Sequence, residues 1–205
     1  MSRPTKTAIL LIDPYNDFLH PKGKANHMLA ASIADTDTIT HLQDLVKAAR
    51  ANDLPIYYGL HQQHRLGFLQ GWTHPTQMQA NQKESKVFEE GTWGVEIYEG
   101  LEPDVEKGDV VVSKHWSSSS FQNTDLDLQL RQRDITHLVI AGLTANTCME
   151  STARYAYELG YHITLLKDAT AGFSTKQKDA ATELIWPLFA NSVLTVDEWK
   201  KSLVK

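Results

Sequence analysis

The chain has 205 residues, 22% of them charged and 41% hydrophobic, with a formal net charge of -5. That length suits a single α/β unit with a substantial core, and the acidic balance, with no Lys/Arg-rich stripe, argues against nucleic acid or an anionic membrane as partner. A single cysteine, Cys148, excludes an internal disulfide framework and a cysteine-rich zinc site.

The apolar run after Arg3 and Lys6 covers only residues 8–12 before Asp13 interrupts it, too short for a signal-peptide core or a membrane span. A lone thiol suits a reducing compartment, so a cytoplasmic protein is expected.

Residues 7–12 form a continuous apolar run, the mark of a strand buried on both faces. Across 33–51, Ile39, Leu42, Leu45, Val46 and Ala49 recur three or four apart, which predicts a helix. A strand over 54–60 follows, opened by Pro55. Segment 61–108 then breaks the regularity with Gly67, Gly71, Gly91, Gly94 and Gly100, but it also carries Phe68, Trp72 and Trp93. Aromatics argue for order, so an ordered insertion beside the functional site is expected there. The Lys107-Gly108-Asp109 turn sets up a strand over 109–113. A helix over 125–133, a strand over 138–141 and a helix over 146–159, closed by Gly160, come next. A strand over 161–166, a helix over 176–189 and a last strand over 192–195 complete the chain.

Strands alternating with long helices predict a three-layer α/β fold. It is a six-stranded, mostly parallel, Rossmann-like sheet with helices on both faces, forming one domain over 1–205. Open parallel sheets bind ligands beyond the carboxyl ends of their strands. The residues in those places are Asp13, His61, Lys114 with His115, the stretch 144–148, and Asp168. Taken singly, Asp13 before Pro14 is a turn residue and Lys114 a lysine snorkelling from a strand end. Cys148 is either a small buried apolar residue or a nucleophile. In the first turn of a helix, unpaired N–H groups and the dipole would favour its thiolate and could hold an oxyanion.

Several motifs then resemble, in order, those of the isochorismatase-like cysteine hydrolases, which include nicotinamidases and ureido-amide hydrolases. Ile9-Leu10-Leu11-Ile12-Asp13-Pro14-Tyr15-Asn16-Asp17-Phe18 is similar to the family's first strand, catalytic Asp and following N-D-F. Gly91-Thr92-Trp93-Gly94 resembles its G-T-x-G loop, and Phe121-Gln122-Asn123-Thr124-Asp125-Leu126 its F-x-x-T-D-L stretch. Ile140-Ala141-Gly142-Leu143-Thr144-Ala145-Asn146-Thr147-Cys148 resembles its nucleophile turn. Thr152-Ala153-Arg154, Leu159-Gly160-Tyr161 and Lys167-Asp168-Ala169 also match.

The resemblance implies a hydrolase cleaving a C–N bond of a small amide or ureido substrate through a thioester. Asp13 would be general base, Lys114 the positioning group and Cys148 the nucleophile. It further implies a cis peptide between Leu143 and Thr144 that directs the Thr144 N–H, with that of Cys148, at an oxyanion. Tyr15, Phe18, His61, His64, Trp93, His115, Trp116 and Phe121 are the candidate pocket residues. No cofactor and no metal are expected, and a homo-oligomer, dimer or tetramer, is. The aromatics of segment 61–108 and the apolar stretch Ile185-Trp186-Pro187-Leu188-Phe189 are candidate surfaces for it.

Two departures stand out. Counted from the strand's start, Lys114 fits the family lysine; counted back from Thr124-Asp125-Leu126, His115 does. Adjacent residues on a strand point opposite ways unless a bulge intervenes; Lys114 is the expectation, with His115 as the substitute. Metal-dependent nicotinamidases carry Asp-x-His after the second strand, where this chain reads His61-Gln62-Gln63-His64 without an acid.

A thiol beside Lys114 at a helix N-terminus should titrate low, whereas Asp13 would push it up; thiolate and thiol both remain open as the resting form. Vinyl-ether hydrolysis of the isochorismate type, without covalent chemistry, is the alternative reaction. A catalytically silent binding protein of the same fold is the alternative of another class.

Overall fold

A computed structural model describes residues 6–203; residues 1–5 and 204–205 of the expected domain, and with them Arg3, lie outside the described residues. Among the described residues one sheet contains β1 (Lys6–Ile12), β2 (Ile56–Gly59), β3 (Val110–Val111), β4 (Ile135–Leu143), β5 (His162–Ala171) and β6 (Ser192–Leu194). Their order is β3-β2-β1-β4-β5-β6. Every pairing is parallel.

The apolar run of β1 explains its central place. Its side chains alternate between two buried clusters. Ile9 and Leu11 pack with Leu42, Leu45 and Val46 of the helix Thr38–Ala51 and with Trp199 of the helix Val196–Leu203. Ala8, Leu10 and Ile12 pack with Leu126 and Leu130 of the helix Leu126–Arg131 and with Ala153 and Ala156 of the helix Glu150–Glu158. Burying each such leucine contributes roughly 1.5–3 kcal/mol. The result is the three-layer α/β architecture expected. No helix of the described residues is long and apolar enough to cross a membrane.

The helix expected over 33–51 is two helices, Ala30–Thr36 and Thr38–Ala51, divided at Asp37 with φ 49°. Aspartate tolerates that left-handed conformation, and apolar spacing does not reveal it. The helix expected over 176–189 changes pitch: Thr175–Asp179 widens into Ala180–Ile185 and tightens over Trp186–Leu188, where Pro187 stands. Segment 61–108 contains the helix Gln77–Ser85 and short turns at Trp93–Val95 and Val105–Lys107.

Gly142 lies on β4, where the register with β5 shifts. Its φ is +116°, and a Cβ there would stand 2.1 Å from the Ile12 carbonyl oxygen. Gly142→Ala should therefore destabilise the fold by roughly 3 kcal/mol or more. Urea unfolding checks this, and a midpoint unchanged from the native chain's would contradict it.

Candidate active site

The strand order reverses between β1 and β4, and the carboxyl ends of these neighbours carry Asp13 and the turn leading to Cys148. Asp13 follows Ile12 in a left-handed conformation, φ 51°, with its N–H donating to the Gly59 carbonyl at 3.0 Å. That bend turns a fully buried carboxylate over the sheet edge. Oδ1 accepts the His61 N–H at 2.6 Å and lies 3.2 Å from His115 Nε2. Oδ2 has no hydrogen-bond partner of its own.

His115 is fully buried and its two ring nitrogens face acceptors: Nε2 the Asp13 carboxylate, Nδ1 the Ser117 carbonyl at 2.9 Å. With an acceptor at each nitrogen, the doubly protonated imidazolium is the favoured form. Burial disfavours that charge most. The Asp13 charge and hydrogen bond, with the Ser117 carbonyl, outweigh it and raise the imidazole above its ordinary value. His61 goes the other way, lowered first by burial and then by the His115 charge. Its Nδ1 lies 3.0 Å from the Gln62 carbonyl, which makes it the donor and leaves Nε2 an acceptor.

Cys148 sits in the wide turn Ala145–Met149 that leads into the helix Glu150–Glu158. One ligand-type atom each of Asp13, His115 and Cys148 lies within 4.8 Å of the others. The Leu143–Thr144 peptide is cis, as the resemblance implied. The thiol is pushed well up, first by burial and then by the Asp13 charge, while Thr147 and the Thr144 N–H partly offset them. Of the two resting forms left open, the site favours the thiol: it buries the sulfur against an anion.

The residue against Asp13 is His115 rather than Lys114. His115 extends the β2 pairing beyond β3: its N–H donates to the Leu60 carbonyl at 2.9 Å, and its carbonyl accepts the Gln62 N–H at 2.9 Å. Lys114, one residue earlier, contributes its carbonyl to Gln62 Nε2 at 3.2 Å and does not line the cavity. Alternation along the extended chain accounts for the exchange.

Asp13 and Cys148 stand at the floor of a cavity of about 740 Å³. Of the candidate pocket residues, Phe18 and His61 line it, as does Thr144 of the oxyanion turn. Tyr15 lies behind, fully buried, with its hydroxyl on the His61 carbonyl at 3.0 Å and its ring against Phe88. The others do not line it. His64 packs on Phe68, Trp93 on His20, and Trp116 between Phe68 and Trp72. Phe121 is buried in the core against Tyr155 and Tyr161. Asp168 accepts the Val196 N–H at the start of the last helix, a structural use. A metal site of the Asp-x-His kind does not fit: among the described residues His61 and His64 belong to no group of three potential ligands.

Residues missed from sequence include Met28, Met78, Gln82, Phe88 and Phe173 in the cavity wall. One carboxylate organises part of that wall. Buried Asp17 accepts the Lys24 N–H at 3.0 Å through Oδ1 and the Phe88 N–H at 2.7 Å through Oδ2. A Cβ on Gly94 would lie 2.4 Å from Asp17 Oδ1, so the G-T-x-G loop needs a glycine to pack there. Asn16 Nδ2 donates to the Trp93 carbonyl at 3.1 Å. The N-D-F and G-T-x-G motifs are therefore one cluster.

A buried thiol, carboxylate and imidazole beyond a parallel sheet define a cysteine hydrolase of the α/β class. The Isochorismatase domain model matches residues 7–198, and the chain belongs to the isochorismatase family. It is similar to the ureidoacrylate amidohydrolase RutB of Rhizobium rhizogenes, 28% identical over 217 residues covering 96% of this chain and 83% of the relative. A cysteine hydrolase from Pseudomonas syringae superposes with TM-score 0.78 and 26% identity, covering 98% of this chain and 97% of that one. The nicotinamidase PncA from Bacillus subtilis does so with TM-score 0.68 and 26% identity, covering 93% and 99%.

Proposed function

We propose that the protein hydrolyses the C–N bond of a small amide or ureido compound through a thioester at Cys148. The observation that carries this reading is the convergence of Asp13, His115 and Cys148 within 4.8 Å, with Asp13 and Cys148 facing the cavity and His115 buried behind them. Asp13 Oδ2 takes the thiol proton as Cys148 Sγ attacks the carbonyl carbon. The Thr144 N–H, after the cis Leu143–Thr144 peptide, and the Cys148 N–H hold the oxyanion. Asp13 returns the proton to the leaving nitrogen, and ammonia or an amine departs. Water then attacks the thioester carbonyl, giving its proton to Asp13; the acid leaves and Asp13 restores the thiol.

His115, as imidazolium, holds Asp13 in place through Oδ1 and leaves Oδ2 free. An ammonia-release screen over small amides and ureas tests the reading, with Cys148→Ala as blank. Release equal in both would overturn it.

A histidine in the lysine place makes the reaction pH-sensitive. The His115 pKa is raised, so its cationic form prevails at low pH and is lost as pH rises through that raised value. Its contribution to stability has the same sign: complete below the unfolded value of about 6.5 and lost above the folded one. His115→Lys should keep the cation and extend the alkaline limb of kcat/KM by about one pH unit or more. An unmoved limb in the pH profile would remove His115 from the positioning role.

A cytoplasmic homo-oligomer acting on a small molecule completes the proposal. Leu184 and Leu188 are 67% and 77% exposed beside buried Trp186, an apolar edge suited to a second copy. Leu188→Lys should shift the sedimentation coefficient toward that of a monomer; a native chain already monomeric at micromolar concentration would contradict the assembly.

A further inference from the structure

The cavity is far larger than a primary amide group with a few carbon atoms requires. At about 740 Å³ it falls in the range that encloses a drug-sized ligand, roughly 300–1,000 Å³. Its wall above the sulfur is apolar: Phe18, Val87 and Phe88 line it, and Met28, Met78 and Phe173 stand at the rim, 43%, 42% and 38% exposed. Large apolar side chains left in water around one opening mark a surface that a ligand covers. Methionines adapt to irregular apolar shapes.

The charges narrow the ligand further. Lys24 is the lining residue with a permanent positive charge, and it is engaged. Its Nζ donates to Glu89 at 2.8 Å and to the Lys86 carbonyl at 2.9 Å. Glu84 lines the cavity as an exposed acid, and Asp13 lies at its floor. A substrate carboxylate would therefore meet two acids and a neutralised lysine, with only the imidazoles of His27 and His61 as further basic groups. Buried Gln82 turns its Nε2 to the Gln62 carbonyl at 2.7 Å and leaves Oε1 without a partner, an acceptor suited to a substrate N–H.

Resting on the amidase reading above, we infer that the substrate is an uncharged amide with an extended apolar acyl group, which occupies the Phe18–Phe88–Met78 wall while its carbonyl reaches Cys148.

The test uses straight-chain primary amides from propanamide to octanamide, with adipamic acid as the carboxylate-bearing counterpart of hexanamide. Turnover is followed by ammonia release in the native enzyme, and binding by calorimetry to Cys148→Ser. Both kcat/KM and affinity should rise about three- to fourfold per methylene along the series. Adipamic acid should be at least about tenfold poorer than hexanamide, since its carboxylate is desolvated without a partner. Met78→Glu should lower the hexanamide-to-propanamide ratio about tenfold by placing a charge on the path of the chain.

Turnover that is flat with chain length, or best with adipamic acid, overturns the inference and leaves the amidase reading standing. Affinity that rises with chain length but without turnover supports the apolar cavity and overturns the amidase reading. Flat affinity without turnover overturns both.

Discussion

Cys148→Ser should lower turnover by roughly 10³-fold or more while leaving the fold and ligand binding intact. The thiol is already pushed upward by burial and by the Asp13 charge, so the proposed thioester route requires a sulfur that a base within reach can still ionise. A serine hydroxyl is nearly the same size, yet far harder to deprotonate, and the same burial penalises its anion more. Circular dichroism and calorimetric affinity for an amide should match the native chain. Near-normal turnover by this variant on any amide that the native enzyme cleaves would rule out covalent catalysis at Cys148. Asp13-only ether hydrolysis would then be the better account.

Asp13→Asn should be comparably inactive, by roughly 10³-fold, since the amide keeps the shape and removes the proton acceptor. Its second effect has the opposite sign. Removing the anion lowers the thiol's value, because the Asp13 charge is, after burial, the largest cause raising it. It also removes the partner that keeps His115 doubly protonated. Alkylation of Cys148 by iodoacetamide should therefore begin at lower pH in Asp13→Asn than in the native enzyme, while hydrolysis is lost. A variant that alkylates only at higher pH than the native chain would show that Asp13 does not face the thiol as an anion.

Much of the fold was legible because its central strands are uniformly apolar. β1 needs to be buried on both faces, and residues 7–12 say so directly. Asp13 and Cys148 were legible for the same reason: each ends or follows such a strand, where a parallel sheet gathers ligands. The lysine register was not. β3 has two residues, Val110 and Val111, and leaves Lys114 and His115 in an extension without the apolar alternation that fixes a side. The arbiter is the pairing of His115 with Leu60 and Gln62, a tertiary fact.

The cavity wall was hidden for another reason. The helix Gln77–Ser85 has no apolar stripe and turns Gln79 and Gln82 inward, so periodicity passes over it. A local signal did exist: Thr76 and Gln79 form a reciprocal capping box, and Thr76-x-x-Gln79 is its sequence form. The aromatic candidates erred toward Trp93, Trp116 and Phe121 because aromatic content marks buried surface without saying which side of the sheet it serves.

The Asp17 carboxylate bears on how such an enzyme can change its diet over generations. It fastens the backbone at Lys24 to the backbone at Phe88, with Gly94 seated against it, from beneath the cavity. The side chains of Met28, Met78 and Phe173 at the mouth are no part of that fastening. On the acyl-chain reading proposed above, replacement at the mouth would alter which groups fit one position at a time. Replacement of Asp17 or Gly94 shifts both walls together. The molecule separates a keystone that must stay from a facing that is free to vary, and new preferences can be tried without rebuilding the frame around the thiol.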